Sequence, residues 1–191
     1  PSLDYNQKIR DLRRILLNEY DPESCVKSII FVDLYGNTVE VGTAAWDVSG
    51  ESFTAIKKQM EQGKGAYTTY GPTEECPYLL SGRVVRNRLD MSLSDMGKLI
   101  FVCDVGNVIS ENKESLSSNK AAIYVYNKNC AIYEDEERRK LDDLPKYVEH
   151  SGYKILKQSG RKYFVSYLYS AKTDWTYVSF FPYSDIYGQV Q

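Results

Sequence analysis

At 191 residues, 42% apolar and 26% charged, the chain has the composition of an ordinary water-soluble protein, with room for one domain with a sizeable core or for two small modules. A net charge of −2 with the two signs interspersed excludes the basic footprint of a nucleic-acid binder, so nucleic acid is discarded as a partner. The longest apolar runs, such as Leu99–Cys103, fall far short of the ~20 residues a membrane helix requires, and the charged, helically patterned amino end does not read as a signal peptide.

Taken in order, residues 3–19 place Tyr5, Ile9, Leu12 and Leu16 at helical spacing, widened by Ile15, with Lys8, Arg10, Arg13 and Arg14 largely off the stripe. Asp21-Pro22 ends this amphipathic helix, because the residue before proline is pushed out of the α region. Such a helix either packs on its own domain or also pairs with a second copy. Lys27–Asp33 and Thr38–Gly42 follow as strands around Tyr35-Gly36-Asn37, a hairpin turn. After the loop Ala44–Ser52, the spacing of Phe53, Ile56 and Met60 predicts a helix over Phe53–Gln62. Three strands come next, at Ala66–Tyr70, Tyr78–Leu89 and Lys98–Val105, with Asp90–Gly97 as a polar turn.

Past a short helix expected within Asn107–Ser117, the pattern starts again. Ala121–Glu134 lines up with Ser28–Val41 as strand, turn and strand. A helix expected at Leu141–Glu149 takes the place of Phe53–Gln62, and Gly152–Lys157, Arg161–Tyr169 and Trp175–Pro182 take the places of the three strands. The last two form a hairpin through Ser170–Asp174, and Pro182 ends it because it has no amide proton for the ladder. The match is one of pattern rather than identity. It predicts an internal duplication of a small α+β module.

A five-stranded antiparallel sheet with a helix after its first hairpin is the layout of PAS-like sensor modules. The turn in IIFVDLYGNTVEV, the strand GKLIFVCDV leading directly into a helix, IYVYNKNCAIY, and above all RKYFVSYLYSAKTDWTYVSFFPYSDIY resemble the double-Cache extracellular sensor domains of bacterial transmembrane receptors, in particular of sensor histidine kinases. Asp174 stands where the closing pattern usually has glycine. The resemblance implies an α+β fold: a long N-terminal helix over 1–20 serving signalling and dimerisation, a membrane-distal Cache module over 21–106, and a membrane-proximal module with an exit segment over 107–191. It further implies an excised extracellular or periplasmic ectodomain, flanking transmembrane helices and a cytoplasmic histidine kinase in the full-length protein, and a homodimer through Leu3–Tyr20.

No catalytic constellation is present in the sequence: no Gly-x-Ser-x-Gly, no phosphate-binding glycine loop and no HExxH. His150 is the single histidine, and Cys25, Cys76, Cys103 and Cys130 form no CxxC pair, so neither a metal site nor a cofactor is expected, and the segment reads as non-enzymatic. Four cysteines permit up to two disulfides, and spacing does not distinguish bridged from free thiols. Cys103, in an apolar strand, reads as a small core residue. Glu134–Glu137 and Asp142-Asp143 read as a solvated face.

The resemblance places a ligand site in the distal module, between the sheet and the layer Ala44–Gly65. The anchors of amino-acid-binding members are absent, since there is no Arg-x-Trp-Tyr and Thr69 stands where a second aspartate would be; only Asp104 matches. Asp104 shares a strand face with Ile100 and Val102, and a buried carboxylate there requires a partner, for which Arg83, Arg86 and Arg88 are candidates. Trp46, Tyr67, Tyr70 and Tyr78 are candidate aromatic walls for a sugar or other ring-bearing molecule. The expected site is Trp46, Tyr67, Thr69, Tyr78, Arg83 and Asp104, holding an unidentified small molecule. The alternatives are a Tyr-rich ectodomain that docks a protein, such as a solute-binding protein, and the ectodomain of a chemoreceptor.

Overall fold

The computed structural model describes residues 3–44, 47–63, 65–87, 93–116, 121–135 and 144–187, and divides the chain into two compact units, Pro1–Val105 and Gly106–Gln191. The first holds helix α1 (Leu3–Glu19), strands β1 (Val26–Asp33) and β2 (Thr38–Gly42), helix α2 (Gly50–Gln62), and strands β3 (Thr68–Tyr70), β4 (Leu79–Arg86) and β5 (Asp95–Cys103). Helix α3 (Val105–Leu116) leads into the second, with β6 (Ala122–Tyr126), β7 (Ala131–Glu134), β8 (Gly152–Gln158), β9 (Arg161–Ser170), β10 (Trp175–Pro182) and the short α4 (Ser184–Tyr187).

Each unit is built on an antiparallel five-stranded sheet. The strand orders are β2, β1, β5, β4, β3 and β7, β6, β10, β9, β8, so the second repeats the first with every number raised by five. The pattern repetition in the sequence is thus a repetition of topology, and the architecture is α+β, with two tandem antiparallel five-stranded sheets and helical cover.

In the first unit the two faces of the sheet are filled differently. Ile9, Leu12 and Leu16 of α1 pack with Ile29, Val39, Val41, Phe31 and Phe101 on one face. On the other, Ile56 and Met60 of α2, both at 0% exposure, pack with Ile30, Val48, Leu80, Val84, Ile100 and Val102. Ser49 caps α2, its Oγ accepting from the Ser52 amide at 3.1 Å. Gly82 lets α2 approach: a Cβ there would lie 2.9 Å from Met60 Sδ and 2.9 Å from the Leu99 carbonyl oxygen. At the β1–β2 turn the Asp33 carboxylate accepts from the Tyr35 and Asn37 amides and from Asn37 Nδ2 and Tyr5 Oη, each at 2.8 Å, which ties α1 to the hairpin. Desolvation pushes the Asp33 carboxyl up, but the bonds from Asn37, Tyr5 and Tyr35 outweigh it and hold it below the usual carboxylate range.

The core of the second unit is aromatic. Tyr124 stacks on Phe180 with ring centroids 5.5 Å apart, surrounded by Tyr126, Leu144, Val165 and Val178. The helix expected at Leu141–Glu149 is not found over its described part, since residues 144–149 are irregular; 141–143 lie outside the described residues. The peptide of Val148 is instead taken by Thr176, whose Oγ1 accepts from the Val148 amide at 3.0 Å and donates to its carbonyl at 2.8 Å. Asp174, at φ 59°, fixes the same segment by accepting from Tyr147 Oη at 2.6 Å and Tyr169 Oη at 2.8 Å. These two bonds hold its carboxyl below the usual range, against desolvation. Other boundaries move slightly: β5 begins at Asp95 inside the expected turn, β3 is shorter than expected, and α3 begins at Val105, directly after Asp104.

Candidate functional site

Strand parity decides which residues share a site. Thr68 pairs with Gly82 and Gly82 with Ile100, all on the face covered by α2. Thr69 pairs with Ser81, and Ser81 with Phe101, on the face covered by α1. Tyr67, Thr69 and Arg83 therefore belong to the α1 side, where the Arg83 guanidinium lies 5.1 Å from the centre of the exposed Tyr67 ring. Tyr78 packs against the core on the α2 side. Trp46 lies outside the described residues. Of the five expected residues that are described, Tyr67, Thr69 and Arg83 lie on the face away from Tyr78.

What the fold does gather is a corner at the α2 N-terminal end of the first unit. The loop before α2 brings Asp47, the loop before β4 brings Tyr78, and the end of β5 brings Asp104. Burial pushes the Tyr78 phenol up, and the carboxylates of Asp47 and Asp104 add to the shift, so each carboxylate lies within electrostatic reach of the Tyr78 hydroxyl. The loop carrying Tyr78 is shaped by the Thr73–Cys76 turn, closed by amide-to-carbonyl bonds of 2.8 Å and 3.2 Å, and rests on the fully buried Pro72. The Asp104 amide donates to the Cys25 carbonyl at 2.8 Å, which fixes the backbone from which its side chain departs. Two carboxylates beside a phenol and an aliphatic floor form an arrangement suited to an ammonium or a hydroxyl-bearing small molecule.

Of the three arginines expected as partners for Asp104, the two that are described are placed away from it. Arg83 is on the opposite face, Arg86 pairs with Asp95 at 3.0 Å at the other end of the sheet, and Arg88 lies outside the described residues. Asp47 was not among the expected site residues. The signal for it was present, since it sits between Trp46 and the α2 cap Ser49 in the layer facing the sheet.

At the other end of α2 two adjoining clefts of about 190 and 360 Å3 share Asp33, Leu34, Glu61 and Lys98. Their charges are largely committed: Lys98 to Glu61 at 3.0 Å, Arg86 to Asp95, and Asp33 to the hairpin turn. Among the described residues no group of three or more His, Cys, Asp or Glu gathers as a metal site, and no helix is long and apolar enough to cross a membrane.

No protein-family model matches the chain. Sensor histidine kinase YesM of Bacillus subtilis is 22% identical over 191 residues, which cover 98% of this chain and 33% of that protein, so this chain spans about a third of its length. Among solved structures, the ligand-binding domain of Mlp24 with asparagine superposes with a TM-score of 0.59 at 11% identity, covering 97% of this chain and 80% of that one. The ligand-binding domain of the Pseudomonas fluorescens chemoreceptor CtaA in complex with L-isoleucine gives 0.52 at 8% identity, covering 86% and 72%. The tandem fold is shared with these ligand-binding domains over 97% and 86% of this chain.

Proposed function

We propose that this chain is the extracellular ligand-sensing region of a membrane-bound signal-transduction receptor of the sensor histidine kinase type. The observation that carries the reading is the tandem fold, matched over nearly the whole chain by ligand-binding domains of receptors and, in sequence, by a sensor histidine kinase. The first unit is then the membrane-distal module and the second the membrane-proximal one. A small molecule with an ammonium or hydroxyl group engages Asp47, Tyr78 and Asp104, and favours one arrangement of the receptor by no more than its differential affinity for the two. Helix α1 carries the signal toward the membrane and pairs with a second copy through Ile15 and Leu17, which stay 55% and 52% exposed while Leu16 is buried.

A thermal-shift screen against amino acids, sugars, organic acids and nucleosides tests the reading. A compound that binds only the folded state stabilises it by ~2.7 kcal/mol at a hundredfold excess over its dissociation constant. The shift is expected to vanish in Asp104→Ala and Asp47→Ala and to persist in Arg83→Ala. A shift that survives both aspartate variants removes the site. If no compound class produces one, the protein-docking ectodomain takes its place. That second reading has support of its own in the close aliphatic packing between α2 and the sheet, and in the exposed Tyr153, Ile155 and Leu168 of the second unit.

A further inference from the structure

Four thiols are present and unbridged, and two of them meet at the central ladder of the first unit. Cys103 ends β5 directly opposite Val26, the residue after Cys25, and the amide of Asp104, the residue after Cys103, donates to the Cys25 carbonyl at 2.8 Å. Cys25 and Cys103 are thus diagonal neighbours across an antiparallel pair. Strand spacing and rise put their Cα atoms about 6 Å apart, inside the roughly 4.4–6.8 Å range that a disulfide spans. The two thiols are within hydrogen-bonding reach of each other, so the Cys25 side chain is turned toward Cys103. Burial and the neighbouring Cys25 thiol push the Cys103 thiol up to about 11. Cys76 is buried under the Tyr78 loop, its Sγ 3.9 Å from the Tyr78 carbonyl oxygen, and Cys130 belongs to the second unit.

We propose that Cys25 and Cys103 are a redox pair that closes into a disulfide across β1 and β5. The oxidant is a small-molecule disulfide, and its presence around the protein rests on the extracellular placement proposed above. The half-exposed Cys25 attacks as thiolate, forming a mixed disulfide and expelling one thiolate. The Cys103 thiolate then attacks the Cys25 sulfur and expels the second. Two cysteine thiols lose two protons and two electrons, and the small disulfide is reduced to two thiols. The bond joins the point where the chain leaves α1 for β1 to the point where β5 gives way to α3, so the oxidised unit cannot open at that seam while the reduced unit can.

The test is disulfide mapping of the purified chain after incubation with oxidised glutathione or with dithiothreitol, blocking with iodoacetamide and digesting without reduction. Oxidation is expected to give a peptide linking Cys25 to Cys103, with Cys76 and Cys130 alkylated, and dithiothreitol to give all four alkylated. Cys103→Ser is expected to stop at a glutathione adduct on Cys25. Alkylation of both Cys25 and Cys103 after oxidation, a stable glutathione adduct on wild-type Cys25, or a bridge to Cys76 or Cys130 overturns the proposal. The wild-type map decides even where a variant does not fold. Its failure is separate from that of the sensor reading, because the ligand screen is run on the reduced protein.

Discussion

The contact between Met60 and Gly82 sets how closely α2 approaches the sheet, and a double-mutant cycle measures it. Met60 is fully buried, and its sulfur lies over Gly82. Met60→Ala removes three heavy atoms from a close-packed site and is expected to cost ~3 kcal/mol, within the ~2–5 kcal/mol of such truncations. Gly82→Ala adds a methyl that meets both Met60 Sδ and the Leu99 carbonyl at 2.9 Å. Overpacking of that kind costs ~1–3 kcal/mol, of which ~0.5–1 kcal/mol returns through the more restricted unfolded backbone. In the double variant the sulfur is gone and the new methyl fills part of the vacated space, so the pair is expected to be less destabilised than the sum of the singles by ~1 kcal/mol. Urea unfolding followed by tryptophan fluorescence reads this out. The chain has two tryptophans, and in a Trp175→Phe background the one left, Trp46, belongs to the first unit. Additivity within ~0.5 kcal/mol, or a Met60→Ala cost below ~1 kcal/mol, refutes the account of how α2 is seated.

Other outcomes follow from single groups. Thr176→Val keeps the shape of a fully buried side chain but leaves the half-buried Val148 peptide without its partner; a loss of ~2 kcal/mol is expected, and a neutral result means that water or a shift of the segment replaces the hydroxyl. The Asp174 carboxyl titrates lower folded than unfolded, so its contribution is present above the unfolded value near ~4 and is lost as pH falls through the folded one. Acid titration of wild type should therefore lose second-unit stability more steeply below about pH 4 than Asp174→Asn does, and parallel curves would remove the carboxylate from the account. Tyr147 and Tyr169, whose phenols are raised chiefly by their bonds to Asp174, should show phenolate absorbance later in an alkaline titration than in Asp174→Asn. Arg83→Ala removes only a surface cation–π contact and should change stability by less than ~1 kcal/mol in the same urea assay.

The strands were legible because β-branched and aromatic residues cluster in runs bounded by turn residues, and because Gly36, at φ 87°, marks a turn that few other residues can make. The duplication was legible because each module repeats the same order of runs. The helix expected at Leu141–Glu149 is absent over residues 144–149 for a reason that periodicity cannot carry: Leu144 and Val148 are spaced as in a helix, but the hydroxyl that claims the Val148 backbone comes from Thr176, 28 residues on. The site failed on parity. Thr69 and Arg83 fall in the expected strands and Tyr67 just before β3, and only the pairing register, with Gly82 against Ile100, assigns them to the far face. The position of Asp104, directly after β5, was legible from the end of an apolar run. Asp47, which also bears on Tyr78, comes from a loop whose path no local pattern fixes.

Both sheets place their first and last strands side by side, β1 next to β5 and β6 next to β10. A module whose beginning and end are adjacent can be copied into a growing gene as a cassette, since the chain on either side needs no long connection to reach across it. The arrangement suits evolution by tandem insertion. Each copy keeps a complete ladder of its own, and its sequence is free to drift until, as in this chain, the aliphatic interior of one and the aromatic interior of the other share a wiring diagram and little else.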